Sequence, residues 1–168
     1  MSTRLSRAAA LDPAPLTAGD SEVDGLDVSA PLGSGRDAFA AARERLATWV
    51  THRSLMMAID ADGRSDQLGT TVLLGLGLGP ARVWFGCRLV EVIDEDARAG
   101  YAYATLPGHP AHGVERFTIT LGSDGAVMGR VQAWSQPGWR VLALAGPAAR
   151  LGQRAMARQY LRRLTGTG

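Results

Sequence analysis

Lysine is absent: all 18 basic side chains of this chain are arginine. Alanine and glycine are abundant beside them, which is the bias of a G+C-rich genome, and the formal net charge is only +2. No stretch interleaves aromatic residues with a basic patch, as a platform for single strands requires. Nucleic acid is therefore not an expected partner. Cysteine occurs once, at Cys87, which excludes a disulfide framework and any cysteine-rich metal site. It lies in the apolar run Val83-Trp84-Phe85-Gly86-Cys87 and reads as a core thiol rather than a nucleophile. No apolar run approaches the roughly 18 residues of a membrane span, so no membrane role is expected. No apolar core follows Arg4 and Arg7 to make a targeting signal, and a cytoplasmic location is expected. Also missing are a phosphate loop, a dinucleotide-binding glycine signature and a G-x-S-x-G nucleophile elbow. Nucleotide hydrolysis and serine hydrolase chemistry are set aside on that ground. No cofactor is implied.

What is present fits one globular domain: 168 residues, 46% apolar and 20% charged, enough to bury a core. Residues 1–30 mix Ala, Pro, Ser, Asp and Gly without periodicity and read as a disordered tail, with a short strand near Val23–Val28. Residues 31–168 form the domain. Gly33-Ser34-Gly35 punctuates its start. Phe39, Ala42, Leu46, Trp49 and Val50 then recur at steps of three and four, predicting a helix from Arg36 to near His52, capped by Ser34. Trp49 is expected to anchor it in the core.

Strand signals fill the middle of the chain: Ser54–Ile59, Gly69–Leu78, Ala81–Ile93, Tyr101–Thr105, Glu115–Leu121 and Ala126–Ser135. Short turns join them, which favours antiparallel neighbours. After Pro137 the period returns to helix, with Ala149, Gln153, Met156, Tyr160 and Leu164 on one face. Arg150, Arg154, Arg158 and Arg162 repeat along another side, a solvated face or a surface for an acidic partner. This order predicts an α+β fold. An antiparallel sheet would curl around a long C-terminal helix, the helix-grip or Bet v 1-like arrangement, with a cavity between them. A hot-dog-like fold, its helix at Arg36–His52, competes with it.

Cys87-Arg88-Leu89-Val90, followed by Gly100-Tyr-Ala-Tyr-Ala-Thr-Leu-Pro-Gly-His-Pro110, resembles the DUF1990 family, a domain of unknown function found in actinobacteria and plants. Glu115 and Phe117 match the family's Glu-x-Phe segment. Ser135 and Pro137 match its Ser-x-Pro, and Pro147, Arg150 and Gln153 its last-helix signature. The resemblance spans roughly residues 31–164. It departs from the family at Val114, where a first Glu is usual, and at Ala104, where a Gly is. It implies a family without implying a reaction.

Among the polar residues, His109 lies on a turn stiffened by Pro107 and Pro110 and titrates near neutrality. It is either a turn histidine bonding nearby backbone or an acid–base group. Glu115 would either orient His109 or form an ion pair with Arg88. His109, His112 and Glu115 are spaced by three, which gathers metal ligands only on a helix, and Pro110 and Gly113 argue against one; no metal site is assigned. Gln153 and Tyr160 interrupt an apolar helix face, and their polar groups need partners. Gln153 would brace the Ser135–Pro137 turn or point into a cavity. His52 is remote in sequence and unpaired. Two functional readings follow. The first is a protein binding a small apolar molecule, with Tyr103, Thr105, Arg88, Ser135, Gln153 and Tyr160 around it. The second is a cofactor-free cyclase or isomerase, with His109 and Glu115 catalytic and Tyr103 or Thr105 holding an oxyanion. Oligomeric state is not legible.

Overall fold

A computed structural model describes residues 1–13, 25–54, 56–137 and 140–165, with the side chains of 135–150 outside the description. Helix α1 (Thr3–Ala9) precedes strand β1 (Leu26–Ser34) and helix α2 (Gly35–Ala47). Six strands follow: β2 (Met57–Ala61), β3 (Thr71–Leu76), β4 (Val83–Asp94), β5 (Arg98–Thr105), β6 (Ala111–Leu121) and β7 (Ala126–Pro137). Helix α3 (Arg140–Thr165) ends the fold. The seven strands form one antiparallel sheet in the order β1-β7-β6-β5-β4-β3-β2. It curls into a half-barrel against α3, the helix-grip arrangement rather than the hot-dog alternative. No helix among the described residues is long and apolar enough to cross a membrane.

Strand alternation builds the core. Tyr101 and Tyr103 of β5, Phe117 and Ile119 of β6, and Val127 and Val131 of β7 point to one face. Phe39, Ala42 and Leu46 of α2 and Ala157, Leu161 and Leu164 of α3 close over it. Gly129 lets α3 come close, since a Cβ there would lie 2.7 Å from Leu161.

The N-terminal expectation needs correction. Residues 1–30 are not uniformly a disordered tail: Thr3–Ala9 is helical and β1 starts at Leu26. Leu5 and Ala8 are buried with Leu73 and Leu106 on the sheet's outer face, and the Ser2 hydroxyl caps the helix. The apolar stripe is too short to register as periodicity.

Helix α2 also stops earlier than its pattern predicts. Trp49 adopts a left-handed backbone, φ 61°, and the chain re-enters one turn of 3-10 helix at Val50–His52. A bulky residue there is strained by about 1–3 kcal/mol. The indole offsets this by burial: it is 3% exposed, lies 5.4 Å from the Tyr101 ring, and donates to the Gly63 carbonyl at 2.9 Å. The outcome is a turn that drives Thr51 and His52 into the protein interior.

Candidate functional site

A cavity of about 210 Å³ lies between the concave sheet and α3. Its wall is mainly apolar, with Leu26, Met57, Leu74, Leu76, Phe85 and Met156 among its residues. The polar groups reaching it are Tyr103, Thr105, His109, Glu115, Gln153 and Tyr160. Val114, where the family resemblance carries a first glutamate, also borders it, with alternation turning its side chain to the face opposite Glu115. Glu115 is the one carboxylate among the lining residues.

Tyr103 and Glu115 are directly opposed in the β5–β6 register, and the Tyr103 hydroxyl donates to Glu115 Oε2. Behind the phenol, His52 Nε2 lies 3.3 Å from the Tyr103 oxygen, and Thr51 Oγ1 lies 2.8 Å from His52 Nδ1. With Glu115 ionised, one set of donors satisfies every link. The Thr51 hydroxyl donates to Nδ1, Nε2–H donates to Tyr103, and Tyr103 donates to the carboxylate. With Glu115 protonated, the whole chain can run in the opposite sense. His52, read from the sequence as unpaired, is thus a central member. It packs against the Tyr160 ring at 4.5 Å and the Phe117 ring at 5.1 Å. Only the left-handed Trp49 turn brings it there, and nothing in apolar periodicity signals such a turn.

Burial sets the protonation of these groups. Desolvation pushes Glu115 up to about 7, while the Tyr103 hydrogen bond pulls the other way. Glu115 is half-buried and lines the cavity. Fully buried His52 is pushed down to about 3 by desolvation and is neutral. Burial raises Tyr103 and Tyr160 well above the usual phenol value. Cys87 is fully buried and its thiol is likewise pushed up, which removes it as a nucleophile.

His109 and Glu115 both line the cavity, but no hydrogen bond joins them. The His109 Nδ1–H donates to the Ala111 carbonyl at 2.7 Å, and Phe85 stands edge-on at 5.4 Å. Desolvation lowers its pKa. Thr105 Oγ1 accepts from the Gly113 amide at 3.0 Å, which ties the β5–β6 turn together. Tyr160 closes the α3 side, its hydroxyl 3.8 Å from Met57 Sδ.

Three expectations change. The Arg88–Glu115 ion pair is absent, because Cys87 and Leu89 pair with inward Thr105 and Tyr103 and alternation turns Arg88 outward. There Arg88 donates to the Ala9 carbonyl at 2.7 Å and lies 3.6 Å from Asp12, so it supports α1 instead of lining the cavity. Gln153 is exposed at the cavity rim, not buried in an apolar face. Among the described side chains of α3 the buried ones are Ala157, Tyr160, Leu161 and Leu164, further along the helix, and Met156 is 37% exposed. Ser135 pairs with Gly113 in the sheet, but its side chain lies outside the described residues. Alternation also puts His112 on the face opposite Glu115.

Comparison with known proteins gives a family and a fold. The model of a family described as "Domain of unknown function (DUF1990)" matches residues 13–163. A UPF0548 protein of Deinococcus radiodurans is 36% identical over 107 residues, covering 60% of this chain and 54% of the relative. The chain thus spans about half the length of that curated relative. Among solved structures, a hypothetical protein of Helicobacter pylori, jhp0584, superposes with a TM-score of 0.70 at 11% identity, covering 94% of this chain and 96% of the other. The protein Ara h 8.0201 gives 0.58 at 11% identity, over 84% and 95%. Major latex-like protein 151 of Panax ginseng gives 0.55 at 13%, again over 84% and 95%. At such identities the likeness is one of fold, the Bet v 1-like half-barrel with its C-terminal helix.

Proposed function

Starting from the premise that the chain belongs to the DUF1990 family, we propose that it binds a small, largely apolar molecule inside the half-barrel. The observation that carries this reading is the cavity itself. Its volume of about 210 Å³ is several times the ~30 Å³ share of one water. Its apolar wall is broken by a few converging polar groups, the usual composition of a small-molecule site. The test is titration with an environment-sensitive naphthalene dye, alongside native mass spectrometry of protein purified from its own host. Enhanced, blue-shifted emission and a retained small-molecule mass are expected. Ala133→Leu, which projects into the cavity wall, should abolish dye binding while leaving the fold intact. Dye binding unaffected by that substitution, or none at all, would sink the reading.

A second reading has one specific observation behind it. Glu115, raised to about 7 and bonded to Tyr103, is poised to exchange a proton near neutrality. A cofactor-free cyclase or isomerase would use that carboxyl as acid or base and the Tyr103 hydroxyl to hold developing charge. His109 is the second candidate base, since donation from Nδ1–H to Ala111 leaves its Nε2 as the unprotonated nitrogen. Loss of turnover in Glu115→Gln with retained ligand binding distinguishes catalysis from binding.

A further inference from the structure

We propose that the ligand is an organic base, with an apolar body filling the cavity and a protonated nitrogen seated on Glu115. This rests on the ligand-binding reading above and narrows its chemical class. The chain carries 18 arginines, yet among the described residues none lines the cavity. The imidazole there, His109, is desolvated towards its neutral form. An anionic ligand would therefore bring a second negative charge against Glu115 with no cation to meet it. A neutral apolar ligand would leave the carboxylate half-satisfied. Tyr103 occupies one oxygen, and the other has no partner among the described residues. A ligand ammonium supplies what the site lacks: a charge-assisted donor for that oxygen and a counter-charge in a desolvated place.

The groups packed around Glu115 leave it alone to titrate. Tyr101 and Tyr103 come from β5, Cys87 from β4, Tyr160 from α3 and His52 from the 3-10 turn. Burial keeps the phenols and the thiol protonated and the imidazole neutral across the neutral range. His109, the other titratable group on the cavity wall, is lowered by desolvation and bonded to Ala111, so the affinity of a bound cation should follow ionisation of Glu115.

The experiment compares phenylbutylamine, phenylbutanol and phenylbutanoate by dye displacement. Amine binding tighter than alcohol by about tenfold or more, with the carboxylate weakest, is the expected order. Amine affinity should rise as pH increases through about 7 and the alcohol's should not. In Glu115→Gln the amine preference should collapse while alcohol binding persists. An alcohol that binds as well as the amine, or a preferred carboxylate, overturns the base assignment and leaves the cavity reading standing. Failure of the dye and all three probes to bind overturns both. Should the Gln variant not fold, the wild-type pH profile decides: a flat amine profile overturns the base assignment.

Discussion

Tyr103 hands its phenolic hydrogen to Glu115 directly across the β5–β6 pair. The same oxygen sits 3.3 Å from His52 Nε2. One hydroxyl therefore couples a cavity-facing carboxyl to a histidine with no solvent exposure.

The two titrating ends should make opposite contributions to stability. The Glu115 value in the fold, about 7, lies above its ordinary 4.5, so the folded state holds the extra proton. Its contribution falls as pH rises through that window, by about 3 kcal/mol in all. His52, lowered from 6.5 to about 3, contributes fully above 6.5 and less as pH falls. Where the windows overlap the two slopes oppose each other. Urea unfolding from pH 4.5 to 7 should show Glu115→Gln gaining on wild type as pH rises. Parallel curves would refute the raised carboxyl.

Replacing the coupling hydroxyl should disturb both neighbours. Tyr103→Phe leaves the His52 N–H and Glu115 Oε2 without their partner, at about 1–3 kcal/mol for each group. It also removes the bond that lowers the Glu115 pKa. The carboxyl titration, followed by carbon-13 NMR, should move upward. A midpoint that stays put would mean Tyr103 does not hold the carboxylate in solution.

Trp49→Ala should cost about 3–5 kcal/mol, the range for a buried large aromatic. Its effect should extend beyond stability. Losing the anchor frees the left-handed turn that carries His52, so ligand affinity should drop even where the variant remains folded. Wild-type affinity in the folded fraction would separate the turn from the site.

Leu5→Ala should cost about 2–3 kcal/mol, since a buried leucine leaves a cavity. The loss should appear as undocking of α1, read as accelerated proteolysis between residues 9 and 13. Protection unchanged from wild type would mean α1 contributes little to the packing.

Local signals carry most of the architecture. The strands from Ala81 to Ser135 are visible through alternation and turn residues, and Thr105, His109 and Glu115 are legible as one hairpin. Arg88 is not, because the face it takes depends on its register with β5, which no single strand reveals. The irregularity between Leu89 and Glu91 further blurs the parity along β4. Gln153 escapes a reading by periodicity because spacing marks a helix face and not which positions along that face are covered. His52 escapes it because its position follows from one backbone angle at Trp49, and a tryptophan there carries no conformational signature.

Strand β3 has cover on both sides. Val72 and Leu74 face the main core, Leu73 meets Leu5 and Ala8 of α1, and every residue from Thr71 to Gly75 is buried. At Gly75 even a methyl group would come within 2.9 Å of the Trp84 ring. A saturation scan of this strand should therefore lack the every-other-residue tolerance of a half-wet strand. Polar replacements would be rejected at the four successive positions from Val72 to Gly75, which leaves this part of the barrel wall little room for sequence drift.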